Sequence, residues 1–132
     1  MKTVCVDFDD TIAAWGPLFD LDPPFEGVVY AMQDLREAGY RIVVLTSRLS
    51  PTWWEHDCYR FDFQDPEAFG EANIHYVVDY LQYWEIPFDH ITSEKVQADV
   101  YFDDRARHVL PGELGSAITE WLANQQRLVP HG

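Results

Sequence analysis

Three carboxylates fall within four positions near the start of the chain. Asp7, Asp9 and Asp10 directly follow the apolar run Val4-Cys5-Val6 and its neighbour Phe8. Like charges this close raise one another's pKa and cost free energy unless a cation or a proton offsets them. A magnesium site at the carboxyl end of a buried strand meets that need, because magnesium takes few carboxylate oxygens and completes its shell with water and phosphate. The rest of the chain must then supply the other half of the site. Polar groups stand at the ends of two further apolar runs: Thr46-Ser47-Arg48 after Ile42-Val43-Val44-Leu45, and Asp103-Asp104 after Val100-Tyr101-Phe102.

The elements that have to position these groups can be read from pattern. Residues 3–8 form a short, β-branched, continuous apolar run, as expected for a strand buried on both faces. Residues 12–26 carry Gly16, Pro17, Pro23 and Pro24 and read as a flap over the strand end. Val28, Val29, Met32 and Leu35 place a helix over 26–38, with Gly39 as its cap. A second strand follows at 41–45. Residues 49–66 read as an irregular aromatic and acidic loop holding Trp53, Trp54, Tyr59, Phe61 and Phe63. A helix over 67–84 is stopped by Pro87, Ile91 is a very short strand or a bend, a strand covers 99–102, and a last helix covers 114–122. Residues 126–132 are a tail. Alternating strands and helices predict one α/β domain over 1–132 with a central parallel sheet. Ligands of such folds bind at the carboxyl ends of the strands.

Composition sets the limits. Of 132 residues, 47% are hydrophobic and 15% aromatic, enough for a sizeable core and against disorder. The 9 Lys and Arg against 23 Asp and Glu give a net charge of −14, which argues against extensive contact with nucleic acid. Cys5 lies in a strand and Cys58 in a polar loop, and neither has a Cys-x-x-Cys partner, so zinc is not expected. Two isolated cysteines suit a reducing cytoplasm. No stretch approaches the roughly 20 apolar residues of a membrane span, and because Met1-Lys2 leads straight into a strand no signal peptide is expected.

The ordered set of motifs resembles the haloacid dehalogenase (HAD) superfamily. Its Asp-x-Asp-x-Thr motif is matched by Asp7-Phe8-Asp9-Asp10-Thr11. Its strand-ending Thr or Ser is matched by Thr46, its Lys by Lys95, and its acidic pair by Asp103-Asp104. The only other lysine, Lys2, begins the first strand at the wrong end. The resemblance implies a three-layer Rossmann-like HAD fold. With only a flap at 12–26 and a loop at 49–66, it implies a member without a cap domain.

The resemblance also implies roles. Asp7 would be the nucleophile that forms an aspartyl-phosphate. Asp9 would protonate the leaving oxygen and then activate water, which requires the chain to bend at Phe8–Asp9. Thr46 and Lys95 would hold the transferring phosphoryl group. Mg2+ would be held by Asp7, the Asp9 main-chain carbonyl and Asp103, with Asp104 direct or through water. Thr46-Ser47-Arg48 and Asp103-Asp104-Arg105 are similar to the phosphatase domains of polynucleotide kinase-phosphatases. That likeness implies that Arg48 binds substrate phosphate, with the Ser47 main-chain N–H beside it; pairing of Arg48 with an acid such as Glu55 is the alternative. Arg105 is expected to pair with surface carboxylates, Asp10 to be solvated or to cap the turn, and His56, His75, His90, His108 and His131 to be structural or solvent-facing.

The acid at Asp9 points to phosphate esters, and an open site points to hydrolysis rather than phosphoryl transfer within a closed one. The expected activity is therefore a Mg2+-dependent phosphomonoesterase acting on a nucleotide or another small phosphorylated metabolite. Two alternatives stay open. One is a nucleic-acid 3′-end phosphatase, which has few basic residues to draw on. The other is a non-catalytic acidic interaction protein on a HAD fold. The 49–66 aromatics either pack on the domain as a satellite cluster or stack on a base or sugar, or they cover the open site through a homodimer contact.

Overall fold

The structure, a computed structural model, describes residues 2–94, 96–102 and 112–128, with the side chains of 126–128 excepted. The described elements run β1 (Thr3–Asp7), α1 (Val28–Glu37), β2 (Arg41–Leu45), α2 (Pro51–Asp57), α3 (Pro66–Tyr83), β3 (His90–Thr92), β4 (Val100–Phe102) and α4 (Leu114–Leu128). The strands form one parallel sheet in the order β3-β2-β1-β4. The expected α/β class with a central parallel sheet is present, and the segment around Ile91 is a strand at one edge.

Successive strand residues point to opposite faces. Val4, Cys5 and Val6 are all buried, as are Ile42, Val43 and Val44, so both faces of β1 and β2 are shielded from water. That pattern belongs to the covered strands of a parallel sheet. Helix α1 buries Val28, Ala31, Met32 and Leu35, a stripe at helical spacing. It ends where Gly39 adopts φ +87°. There the N–H of Gly39 donates to the Arg36 carbonyl and that of Tyr40 to the Leu35 carbonyl, at 3.0 and 3.1 Å. These two hydrogen bonds satisfy orphan carbonyls of the last turn and turn the chain into β2.

Helix α3 starts at Pro66, whose fixed φ suits a first turn, with the Asp65 carboxylate accepting from the Glu67 N–H at 3.0 Å. Its buried stripe is Phe69, Asn73, Val77, Tyr80 and Leu81, while Ile74 and Val78 are only half-buried. Helix α4 extends to Leu128 rather than ending at Leu122, so the 126–132 tail begins inside a helix. No helix among the described residues is long and apolar enough to cross a membrane.

The segment 49–66 departs most from expectation. It is not an irregular loop: 3-10 turns at Ser47–Leu49 and Cys58–Phe61 flank the seven-residue helix α2. Ser50 before Pro51 is a helix-start signal, but α2 has no fully buried residue and so no apolar stripe to read. Cys58 is fully buried, not in a polar loop, and joins Leu18 and Phe69 in a second apolar cluster. Trp53, Phe61 and Phe63 pack on the Phe69 ring at centroid distances of 5.0, 5.6 and 5.1 Å. Most of the aromatics in this segment therefore form the satellite cluster. Tyr59, 67% exposed, stands outside it.

Candidate active site at the carboxyl ends of the strands

Parallel pairing brings three strand ends to one edge. Asp7, the last residue of β1, is in register with Leu45, the last of β2. Phe102, the last of β4, is in register with Val6. Thr46 follows β2 directly, so Asp7 and Thr46 meet at that edge as the sequence requires. Lys95, Asp103, Asp104 and Arg105 lie outside the described residues, as do His108 and His131.

Beyond Asp7 the chain turns sharply. The Phe8 N–H extends the pairing with β2 by donating to the Leu45 carbonyl at 3.0 Å, and the Phe8 carbonyl accepts from Ile12 at 2.9 Å. Phe8 is fully buried, which anchors the turn. Asp10 adopts φ +61°, a left-handed conformation that Asp tolerates better than most residues. Its carboxylate accepts from the Trp15 N–H at 2.8 Å, so Asp10 caps the turn into the flap. The bend at Phe8–Asp9 is therefore present. Thr11 is buried, with its hydroxyl 3.5 Å from an Asp7 carboxylate oxygen, at the long limit for a hydrogen bond.

Asp9 faces Arg48. The Arg48 Nε donates to both Asp9 carboxylate oxygens at 3.1 Å. The Thr46 hydroxyl lies 3.5 Å from Asp9 Oδ2 and accepts from the Arg48 N–H at 3.1 Å. Thr46 thereby starts the 3-10 turn that carries exposed Ser47 and buried Arg48. Burial pushes the Asp9 carboxyl above the ordinary carboxylate range. The charge and hydrogen bond of Arg48 hold it back only in part, and the Asp10 charge adds to the rise.

Arg48 itself is completely buried. Its Nη1 donates to the Leu18 carbonyl in the flap at 2.5 Å, and its guanidinium carbon lies 4.7 Å from the centroid of the Trp15 ring. The Trp54 indole N–H in turn donates to the Arg48 carbonyl at 2.8 Å. Arg48 thus pairs with Asp9 and not with Glu55, and among the described residues only its Nη2 has no hydrogen-bond partner. The roles of Leu18 and Trp15 were not visible in sequence. A lone Trp between the carboxylates and Gly16-Pro17 was the available signal.

Among the described residues no three His, Cys, Asp or Glu side chains converge on a metal-sized site. The described part of the expected ligand set is the Asp7 carboxylate and the Asp9 main-chain carbonyl. Both are hard oxygen donors, and among the described residues no His or Cys stands at this edge; Cys5 is buried within β1. That donor chemistry fits magnesium and not a thiophilic metal. His56, His75 and His90 are exposed, as expected. A cavity of about 720 Å³ lies between α1 and α4 and is lined by Tyr30, Asp34, Ser116 and Thr119 among others, and by none of these site residues. The convergent polar groups, not cavity size, mark the candidate site.

No protein-family model matches the chain, and no curated protein matches it in sequence. Among solved structures it is similar to a crystal structure of an MCSG target from Vibrio cholerae, with a TM-score of 0.54 and 21% identity over 95% of this chain and 99% of that one. At that identity the likeness is one of fold alone.

Proposed function

We propose that the chain is a magnesium-dependent phosphomonoesterase of HAD type, acting on a nucleotide or another small phosphorylated metabolite in a reducing cytoplasm. The observation that carries the reading is the meeting of Asp7, Asp9, Thr46 and Arg48 at the carboxyl ends of two adjacent parallel strands, with Asp9 raised above the ordinary carboxylate range. We further propose a three-layer HAD arrangement without a cap. The absence of any helix or strand in the flap between β1 and α1, and the small size of α2 between β2 and α3, support it.

In this reading an Asp7 carboxylate oxygen attacks phosphorus as the bond from phosphorus to the ester oxygen breaks. Asp9 gives its proton to that leaving oxygen. Asp9, now a carboxylate, takes a proton from water as the water attacks the phosphoryl group on Asp7. The bond between Asp7 and phosphorus then breaks, releasing phosphate and restoring Asp7. Thr46 and Lys95 orient and neutralise the transferring group, with the Ser47 N–H beside it. Asp7, the Asp9 carbonyl, Asp103 and Asp104 would hold Mg2+, which offsets the negative charge gathered at the strand end. The Asp9 contact suggests that Arg48 acts on the acid first, with Nη2 left to approach substrate oxygen.

The test is phosphate release from a panel of phosphomonoesters with Mg2+. Wild type should turn over at least one ester, and EDTA should stop it. Asp7→Asn should lose essentially all turnover while keeping its melting temperature. An Asp7→Asn protein as active as wild type, or a wild type inert on every ester, sinks the reading.

A further inference from the structure

A second cavity, about 400 Å³, opens between the flap and the segment that follows β2. Trp15 and Leu18 line it from the flap, and Trp53, Arg60 and Phe61 line it from the other side. It adjoins the strand-end site through one side chain. Arg48 touches the Trp15 ring and the Leu18 carbonyl with its guanidinium and reaches Asp9 with its Nε. A single guanidinium therefore separates a wall of the cavity from the carboxyl read as the proton donor.

The walls favour a flat, neutral, π-rich occupant. Three indole or phenyl rings line a space of the size usual for small-ligand sites. The charges on the lining are Arg60 and Asp57, which pair with one another at 3.2 Å, so the cavity is locally neutral in a chain of net charge −14. Trp15 differs from the other two aromatic walls. Trp53 and Phe61 are spent on Phe69 and on one another, whereas Trp15 contacts no other ring among the described residues and is 51% exposed. Its main-chain N–H is tied to the Asp10 carboxylate and its ring rests on the Arg48 guanidinium. It is thus a fixed platform on which apolar surface is left in water, at a cost that stacking would recover.

Beneath the Trp15 ring Arg48 is wholly buried, and among the described residues its Nη2 has no hydrogen-bond partner. An unsatisfied buried donor on a charged group is expensive, and native structures seldom leave one without a reason. Arg48 is not itself on the cavity lining, and the Trp15 ring lies between its guanidinium and the open space.

We propose that this cavity binds the aromatic portion of the substrate, of the nucleobase class, stacked on Trp15. The attached sugar or ester oxygen then lies toward Arg48 and the phosphate toward Asp7. The inference rests on the phosphomonoesterase reading for its phosphate half only. Base stacking tolerates sequence because every base has a π-face, so the site selects a base over an aliphatic group rather than one base over another.

The experiment separates the two halves. Adenosine, which carries no phosphate, is titrated into the full chain while tryptophan emission is followed, with ribose as the control. Adenosine should give a saturable change and ribose none. Trp15→Ala should weaken adenosine binding by about tenfold or more, the size expected for loss of one stacking contact, and Trp15→Phe should restore most of it. In parallel, phosphate release from adenosine monophosphate and from glycerol phosphate is measured with Mg2+. Preference for the nucleotide should fall toward one in Trp15→Ala. No saturable change with adenosine, or equal affinity in wild type and Trp15→Ala, overturns the cavity assignment even where both esters are hydrolysed. Adenosine bound at Trp15 with neither ester hydrolysed leaves the cavity standing and removes the phosphatase reading instead.

Discussion

Burying a guanidinium costs several kcal/mol unless an opposite charge and hydrogen bonds compensate. Arg48 is buried completely and is compensated by Asp9 and the Leu18 carbonyl. Removing it leaves the Asp9 carboxylate, with only 16% of its side chain exposed, without its partner. Arg48→Met should therefore destabilise the chain by roughly 3–5 kcal/mol in urea unfolding at neutral pH, the usual cost of breaking one side of a buried pair. Asp9→Asn/Arg48→Met, which removes both charges, should recover a large part of that loss. A double variant as unstable as the sum of the two singles would mean that the pair is not coupled. The residue types at the site were legible, because Asp7, Asp9 and Thr46 each end or follow a strand that reads plainly as apolar. The partnership was not. Positions 9 and 48 meet only through the register of β1 on β2, and nothing local marks Arg48 as buried while the glutamate at position 55 offers itself as a nearer partner.

Between residue and domain, the flap and the helices behind it act together. The Leu21 N–H donates to the Tyr76 hydroxyl at 2.7 Å, and the Tyr80 hydroxyl donates to the Asp22 carbonyl at 2.6 Å. With the Arg48 contact to Leu18, α3 and the turn after β2 fasten the flap at three points. Helix α2 is set by a close approach at Gly70 on α3, where a Cβ would lie 2.5 Å from the Trp54 ring. Trp54 cannot swing aside without giving up its 2.8 Å bond to the Arg48 carbonyl. Alanine is otherwise the better helix former by roughly 1 kcal/mol, so a change at this position weighs propensity against a clash. The clash should win: Gly70→Ala is expected to lose about 1–3 kcal/mol, as overpacking does, and to lower turnover by displacing the Arg48 turn. A Gly70→Ala protein more stable than wild type would show that α2 yields freely. Three of the four strands, α1 and α3 were legible because their apolar runs are long enough to read or are bounded by Gly39, Pro66 and Pro87, whereas three-residue β3 around Ile91 stayed open between a strand and a bend. Helix α2 was not, since seven residues with no buried position carry no period, and its fold is imposed by Phe69 and Gly70 from outside.

At the level of the whole molecule two charge effects oppose one another as pH falls. A net charge of −14 repels itself in the compact state, and lowering the pH toward the isoelectric point of about 4.4 relieves that repulsion. About 1 M NaCl, which shortens the Debye length to roughly 3 Å, should therefore raise the melting temperature at pH 7 and have little effect near the isoelectric point. Asp89 acts in the other direction. It accepts from Arg36 Nη1 with both oxygens at 2.9 Å and from the Ile42 N–H at 2.8 Å, tying α1 to β2 and to the start of β3. Partial burial pushes its carboxyl up. The Arg36 hydrogen bond, the Ile42 N–H and the charges of Arg36 and Arg41 outweigh this and leave it below the ordinary range. Because the folded pKa is depressed, this stabilisation is fully present above the unfolded carboxylate value of about 3.9 and is lost as pH falls through the folded one. The tie is partly exposed, so its contribution is screened and modest. Urea midpoints should rise from pH 7 toward mildly acidic pH and fall again below the ordinary carboxylate range. Asp89→Asn should lie below wild type on the neutral side and converge with it on the acid side. A gap between the two proteins that persists at the lowest pH would show that Asp89 stabilises through something other than its charge.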